Sequence, residues 1–239
     1  FQHASIKNYR EKSSYDYVII PAIYSWMSED NRDRLFGKIG AALAENGLAF
    51  VSYNTFPGWN MGKTVREMML FHTRQFDNKA TKILEARKML NFALASNKEK
   101  ESPYSKALEA EVNLVTKLED IDFEREYLSE ISEPTYFGDF MNTANRHGLK
   151  YVADMDFQYM YLGNYDEIAR SQLREISTAV HQEQYMDFIT NRRVRNTVLT
   201  KSGEVNRSIN SERLEDFRFR LMLLPTKPID EATYEEDAV

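Results

Sequence analysis

Two stretches combine aromatic faces with small polar tips: Tyr24-Ser25-Trp26 and Ser52-Tyr53-Asn54-Thr55. Together with Trp59 they could line a pocket for a planar base or a cation, because aromatic faces attract sulfonium and ammonium groups. The competing reading is packing between a sheet and its helices, since aromatic side chains dominate cores. His72 falls on an apolar helix face, where a hydrogen-bonded core or interface residue is expected rather than a base. His147 precedes Gly148, and a cation near a helix C-terminus complements the dipole there. Arg192-Arg193-Val194-Arg195 could meet an acidic substrate, but short charge runs usually form a solvated face. Glu109 and Glu111 read as helix-surface residues, without the paired apolar setting that would raise a carboxyl pKa. The chain has no cysteine, and its four histidines, at 3, 72, 147 and 181, have no i, i+4 pairing. A metal site is therefore not expected, and disulfide or thiolate chemistry is excluded. No nucleophile elbow, phosphate loop or His-Glu-x-x-His occurs.

The elements that would position these residues follow from periodicity. Tyr15-Asp16-Tyr17-Val18-Ile19-Ile20, bounded by Pro21, predicts a strand buried on both faces. Ser28 predicts a helix cap, with Glu29 and Asp30 in the first turn and Leu35, Phe36, Ile39 and Leu43 as the apolar stripe. Asn46-Gly47 would close that helix. Leu48-Ala49-Phe50-Val51-Ser52-Tyr53 predicts a second strand, and the resulting βαβ unit implies parallel strands. The carboxyl ends of parallel strands are where α/β proteins bind ligands. Tyr24, Trp26, Tyr53 and Asn54 are thus expected around one crevice on that rim.

Residues 63–130 predict a mainly helical insertion. Val65, Met68, Met69, His72 and Phe76 share one face; Ile83, Ala86, Leu90 and Leu94 another; Leu108, Val112, Val115 and Leu118 a third. Ser102-Pro103 is a helix start. After the break at Glu133-Pro134, a helix from Tyr136 to His147 is closed by Gly148. Leu149–Met155 predicts a strand returning to the sheet. Tyr165–Ile176 and Ala179–Thr190 predict helices, Val194–Lys201 and Phe217–Leu224 a strand pair, and Asp230–Val239, with five acids, a solvated tail.

Composition sets outer bounds. The 239 residues include 31 basic and 37 acidic side chains, for a formal charge of −6, with 42% hydrophobic residues. That is an ordinary globular balance, with no apolar run long enough to span a membrane and no signal-peptide pattern. Its mild acidity argues against a general nucleic-acid binder. The lack of cysteine fits a cytoplasmic location.

A resemblance adds to this reading. Asp16–Ile20 running into Tyr24-Ser25-Trp26, then Gly47–Trp59 with its Ser-Tyr-Asn-Thr-x-Pro-Gly-Trp block, resembles a bacterial family. So do Met68–His72, Glu133–Phe137 with Phe140, His147–Ala153, and Glu183–Phe188 followed by Asn191-Arg192-Arg193. The family is the class I S-adenosylmethionine-dependent methyltransferases that carry a predicted methyltransferase regulatory domain, a kind that includes rickettsial outer-membrane-protein lysine methyltransferases. The sequence departs from that pattern at Pro21-Ala22, where the family usually has His-Gly, and at Arg125, where a histidine is usual.

The resemblance implies an α/β fold: a partial Rossmann-like methyltransferase sheet with a large helical insertion and a C-terminal α+β region. It implies three regions. Residues 1–60 would be the C-terminal half of a methyltransferase core, 61–156 the helical regulatory region with a strand returning to the sheet, and 157–239 the C-terminal helices, strand pair and acidic tail. It implies an enzyme whose parent protein transfers a methyl group from S-adenosylmethionine to protein lysines. Tyr24 and Tyr53 would orient the acceptor, Trp26 and Asn54 contact the donor, and Ser25, Ser52 and Trp59 the substrate. Because the chain would begin near the third strand, the donor's Gly-rich loop would lie outside it, and this chain alone would bind the donor poorly and be inactive. Expected partners are a protein substrate and a second copy bound through the helical region. The rival reading is a non-catalytic regulatory or dimerisation module, supported by Met68 and Met69, because methionines suit adaptable interfaces.

Overall fold

The computed structural model describes residues 14–97 and 101–203, with Ser5, Ile6, Asn8, Val205, Glu212 and Glu215 besides. The expected strand Phe217–Leu224 and the acidic tail Asp230–Val239 lie outside the described residues. The chain divides into two units, Phe1–Val205 and Asn206–Val239, and every element below belongs to the first.

Among the described residues four strands make one mixed sheet: β1 (Tyr15–Ile20), β2 (Leu43–Asn54), β3 (Lys150–Asp154) and β4 (Val194–Thr200), in the order β1-β2-β4-β3. β1 and β2 are parallel, as a βαβ unit requires, with Val18 opposite Ala49 and Ile20 opposite Val51. β4 runs antiparallel to both β2 and β3. β4 thus takes β2 and β3 as its two strand partners. β3 does return to the sheet, but β4 lies between it and β2.

One face of the sheet is covered by α1 (Glu29–Ala42) and α6 (Phe137–Arg146). Ala49, Val51 and Tyr53 from β2, Tyr151 and Leu199 pack there against Leu35, Phe36 and Ile39 of α1 and Phe137, Phe140 and Met141 of α6. Alternation does the sorting: residues two apart along β2 reach the same face. On the opposite face Tyr17 is 72% and Ile19 66% exposed. The expectation that β1 is buried on both faces is thus corrected. Among the described residues β1 is an edge strand, and α1 and α6 cover one side of the sheet.

Two end signals also differ. Ser28 stands at the N-cap of α1 in extended conformation, but its side chain makes no capping bond. The helix ends at Ala42, before Asn46-Gly47. Tyr15 pairs with Leu43 and Tyr17 with Leu48, so Asn46-Gly47 sits in the irregular start of β2. Elsewhere local chemistry is followed. The Ser102 side chain accepts from Ser105 N ahead of α4 (Pro103–Val115). Gly148, at φ 72°, follows α6.

Residues 60–128 form the helical layer: α2 (Asn60–Thr73), α3 (Lys79–Ala95), α4, the short α5 (Asp120–Phe123) and a π-helical turn, Glu124–Leu128. Their second core joins Val65 and Met69, Ile83, Ala86 and Leu90, and Leu108, Val112 and Val115, the three stripes that periodicity predicts. α7 (Glu167–Arg174) and α8 (Ala179–Thr190) precede β4. No helix among the described residues is long and apolar enough to cross a membrane.

The basic run at 192–195 is not a solvated face. Arg195 is 0% and Arg192 3% exposed. Arg195 binds Asp187 through Nε–Oδ2 at 2.8 Å and Nη2–Oδ1 at 2.9 Å, Glu183 Oε2 at 3.0 Å and Asp154 Oδ2 at 3.4 Å. Its guanidinium lies 3.8 Å from the centre of the Phe137 ring. Arg192 Nη2 binds Asp154 Oδ1 at 2.6 Å.

Arg195→Ala leaves these buried carboxylates uncompensated, so it should cost about 3–5 kcal/mol, read as a fall in the urea midpoint at unchanged m-value. A loss below about 1 kcal/mol would contradict the hub. Burial pushes the Asp187 carboxyl up to about 6, against the pull of Arg195. A folded pKa above the unfolded one, about 3.9, means the associated stability is present below about pH 4 and lost as pH rises through 6. The stability difference between the parent chain and Asp187→Asn should therefore fall, by about 1–3 kcal/mol, from pH 4 to pH 7. Parallel pH profiles of the two would refute this assignment.

Candidate functional site

The carboxyl ends of β1 and β2 meet, as the parallel pairing requires. After β1 the chain turns through Pro21-Ala22, with Ala22 at φ 56°, into a 3-10 turn at Tyr24–Trp26. Ser25 Oγ accepts from Asn54 N at 2.8 Å, which pins this turn to the end of β2. The link after the helical layer closes the same rim: Glu133 N donates to Ser25 O at 2.8 Å and Thr135 N to Asn54 O at 3.2 Å. Arg32 from α1 donates to Tyr24 O at 3.0 Å and Ser25 O at 3.2 Å.

The predicted site residues divide into three groups. Ser25, Trp26 and Asn54 stand together at the rim. Tyr24 and Tyr53 lie beneath it, 2% and 1% exposed, with ring centres 5.5 Å apart. Tyr53 stacks on Phe140 at 4.0 Å, and its hydroxyl is 3.1 Å from Thr197 Oγ1. These are the contacts of a core residue, so the packing reading describes Tyr53. Burial pushes the Tyr24 phenol up to about 12 and Tyr53 well above its ordinary value. Both are neutral phenols at physiological pH, and neither serves as a base. The third group is away from the rim. Ser52 sits opposite Asn196 and, by strand alternation, on the face that α1 and α6 leave uncovered. Trp59 belongs to the helical core, 5.3 Å from Tyr127.

The helical layer brings two residues that spacing did not single out. Glu126 Oε2 accepts from Asn54 Nδ2 at 3.0 Å. The Arg125 guanidinium lies 5.0 Å from the centre of the Trp26 ring. Desolvation raises the Glu126 carboxyl above its usual range, while the Asn54 hydrogen bond holds it down. The Trp26 indole N–H is buried without a partner. Glu126 is 72 positions from Asn54, and no local pattern joins them. The rim thus offers a partly dehydrated carboxylate, an amide and an unspent N–H donor within one wall, a set suited to a ligand carrying both a cationic and an acceptor group.

Glu111 corrects another expectation. It is 3% exposed, binds Arg193 through both oxygens at 2.5 and 2.9 Å, and accepts from the Tyr127 hydroxyl at 3.0 Å. Its position between Leu108, Val112 and Val115 is the signal that placed it inward. Gly58 supports the same junction: its N–H donates to Arg192 O at 3.0 Å, and a Cβ there would collide with that carbonyl. His72 Nε2 lies 3.4 Å from Glu85 Oε2, and His147 Nε2 2.9 Å from Asp33 Oδ1, so both are hydrogen-bonded side chains.

Residues 124–201 match the family described as "Predicted methyltransferase regulatory domain". The matched segment runs from the π-helical turn, with Arg125 and Glu126, through α6 and β3 to β4, and so overlaps the 61–156 region only from residue 124. Protein RP789 of Rickettsia prowazekii is 38% identical over 233 residues, covering 97% of this chain and 42% of its own length. Protein RP028 of the same organism is 35% identical over 158 residues, 62% of this chain and 63% of its own. The solved structure of PKMT2 from Rickettsia typhi in complex with AdoHcy superposes with a TM-score of 0.79 at 38% identity, over 89% of this chain and 41% of that one. The chain spans about two fifths of the length of RP789 and of PKMT2. Its mixed α/β architecture is shared with the solved structure of PKMT2 from Rickettsia typhi over 88% of this chain.

The Asn54–Glu126 bond makes a direct test of the rim. Asn54→Ala removes the hydrogen bond that favours the charged carboxylate, so the Glu126 pKa should rise further. Carbon-13 NMR titration of the carboxyl signal, assigned with Glu126→Gln, measures this. A fall or no change would contradict the geometry.

Proposed function

We propose that the protein of which this chain is a part transfers methyl groups from S-adenosylmethionine to lysine side chains of a protein. The observation that carries the reading is the fold match, at 38% identity, to PKMT2 in complex with AdoHcy, the demethylated form of that donor. The rim supports it chemically. When bound, S-adenosylmethionine supplies an electrophilic methyl group on a sulfonium. A lysine attacks only as the neutral amine, so one proton must leave the ammonium before or as the nitrogen–carbon bond forms. Glu126, with its carboxyl raised by burial and oriented by Asn54, is the proton acceptor in this reading. The unpartnered Trp26 N–H offers a hydrogen bond to a donor oxygen, and Ser25 keeps the two rim segments in register. Tyr24 and Tyr53 fix the floor through packing. The protein mainly aligns the reactants and excludes water, which is what an in-line displacement requires.

The two fifths of such a protein present here supply one wall of the donor site. Stacking on a rim aromatic contributes about 1–3 kcal/mol, whereas micromolar affinity needs about 8. Calorimetric titration of residues 1–239 with S-adenosylmethionine should therefore show affinity weaker than micromolar. One-to-one micromolar binding would overturn this division of the site.

In the parent protein, radiolabelled methyl transfer to a protein acceptor should disappear when the acceptor's lysines are first blocked by reductive dimethylation. Undiminished transfer would end the lysine reading. Glu126→Gln should slow transfer about 10²-fold and remove the ascending limb of the pH–rate profile. Retention of that limb would exclude Glu126 as the proton acceptor.

A further inference from the structure

The π-helical turn Glu124–Leu128 sends three consecutive side chains to three places: Arg125 to Trp26, Glu126 to Asn54, and Tyr127 inward to Glu111. Single π turns recur at functional positions, where they interrupt the α-helical pattern. Here the turn puts a cation and a carboxylate side by side on the rim.

The two oxygens of Glu126 are used differently. Oε2 accepts from Asn54 Nδ2 at 3.0 Å. Oε1 faces Arg125 Nη2 at 4.0 Å, an electrostatic contact too long for a hydrogen bond. Oε1 is thus the oxygen that Asn54 does not tie down, and Arg125 overlooks it.

Arg125 and Arg193 both act on the Glu126 carboxylate. Arg193 is fixed: it binds both oxygens of Glu111, donates to Gly58 O at 3.2 Å and lies 5.0 Å from the Trp59 ring centre. Arg125 is held by less. Its side chain is 50% exposed and donates to Asp122 Oδ1 at 2.7 Å, three positions back and itself 42% exposed. Its guanidinium also lies 5.0 Å from the Trp26 ring centre. An exposed ion pair at this spacing and an exposed cation–π contact are both weak, so this guanidinium can move without unfolding its surroundings.

Arg125 therefore stands where a cationic ligand would gain most, against an aromatic face and beside a carboxylate. A second cation cannot share that place, because like charges about 4 Å apart repel strongly near a protein surface. We propose that Arg125 is a specificity-determining gate: its guanidinium holds the cation place between the Trp26 ring and Glu126 Oε1, and an alkylammonium enters by displacing it towards Asp122. That the entering amine is a lysine of a protein rests on the protein-lysine reading above; that Arg125 holds the place does not.

The probe is Nα-acetyl-lysine methylamide, titrated into the full 239-residue chain without methyl donor and followed by the Trp26 indole N–H signal, assigned with Trp26→Phe. Arg125→Gln should bind it about fivefold tighter, the gain expected when a weakly held competitor is removed. Arg125→Lys keeps the competing charge and should stay within about twofold of the parent chain. Arg34→Gln removes one exposed positive charge from α1 and should change affinity less than about twofold, as for a screened surface charge. The Nε-acetylated probe, which carries no charge, should gain nothing from Arg125→Gln. Unchanged, weaker or undetectable binding of the charged probe to Arg125→Gln would overturn the gate. So would equal tightening by Arg34→Gln, which would show net charge alone, or equal tightening of the neutral probe, which would show added space alone. In the parent protein, above the ascending limb of the pH–rate profile, Arg125→Gln should lower KM for the protein acceptor about fivefold and leave kcat within about twofold. Lysine-dependent transfer with KM unchanged would remove the gate and leave the transfer reading. Tighter amine binding with transfer indifferent to lysine blocking would remove the transfer reading and leave the gate.

Discussion

The fold turns on one buried guanidinium. Arg195 sits on β4 at 0% exposure and is held by Asp187 and Glu183 from α8, Asp154 from β3 and the Phe137 ring of α6. A charge of this kind is tolerated in a core only when it is paired and its donors are used. Four elements distant in sequence must therefore arrive together. The requirement also fixes register. Arg195 lies opposite Tyr53 on β2, so the same strand that carries the charge supports the aromatic floor of the rim.

From that hub the basic run works outward. Arg192 reaches Asp154 and places the face of the Tyr159 ring 4.4 Å away. Its carbonyl accepts the Gly58 N–H, while Arg193 reaches Glu111 in the helical layer. Three arginines in four residues thus join β3, α8, the turn after β2 and α4. The charges act as fasteners between layers rather than as a surface for an acidic substrate. Each link is directional and leaves little freedom in how the helical layer meets the sheet, and Glu126 comes within 3.0 Å of Asn54 by that route.

The same architecture separates packing from chemistry at the rim. The aromatic mass of Tyr24, Tyr53, Phe36 and Phe140 makes a rigid floor. The groups with unspent hydrogen-bonding capacity lie above it, the Trp26 N–H and the Glu126 carboxylate at the rim. A stiff floor under a few polar groups holds their geometry at small cost in side-chain entropy, which suits a reaction that depends on alignment.

The sequence by itself determined the local elements. Val65, Met69, Ile83, Ala86, Leu90, Leu108, Val112 and Val115 announce three helix faces, Ser102-Pro103 and Gly148 mark ends, and the βαβ spacing brings Ser25 and Asn54 to one rim, because each signal is carried by residues a turn or a strand step apart. The Ser-Tyr-Asn-Thr-x-Pro-Gly-Trp block and its companions carried the family likeness. Only the tertiary structure decided that β4 enters between β2 and β3, that Arg192, Arg195 and Glu111 are interior, that β1 is an edge strand among the described residues, and that Glu126 meets Asn54 at the rim while Tyr53 packs in the core. Strand order and the pairing of buried charges depend on contacts between residues tens of positions apart. Neither periodicity nor capping encodes such contacts, and a charged residue looks the same in sequence whether its counter-ion is water or a carboxylate from another layer.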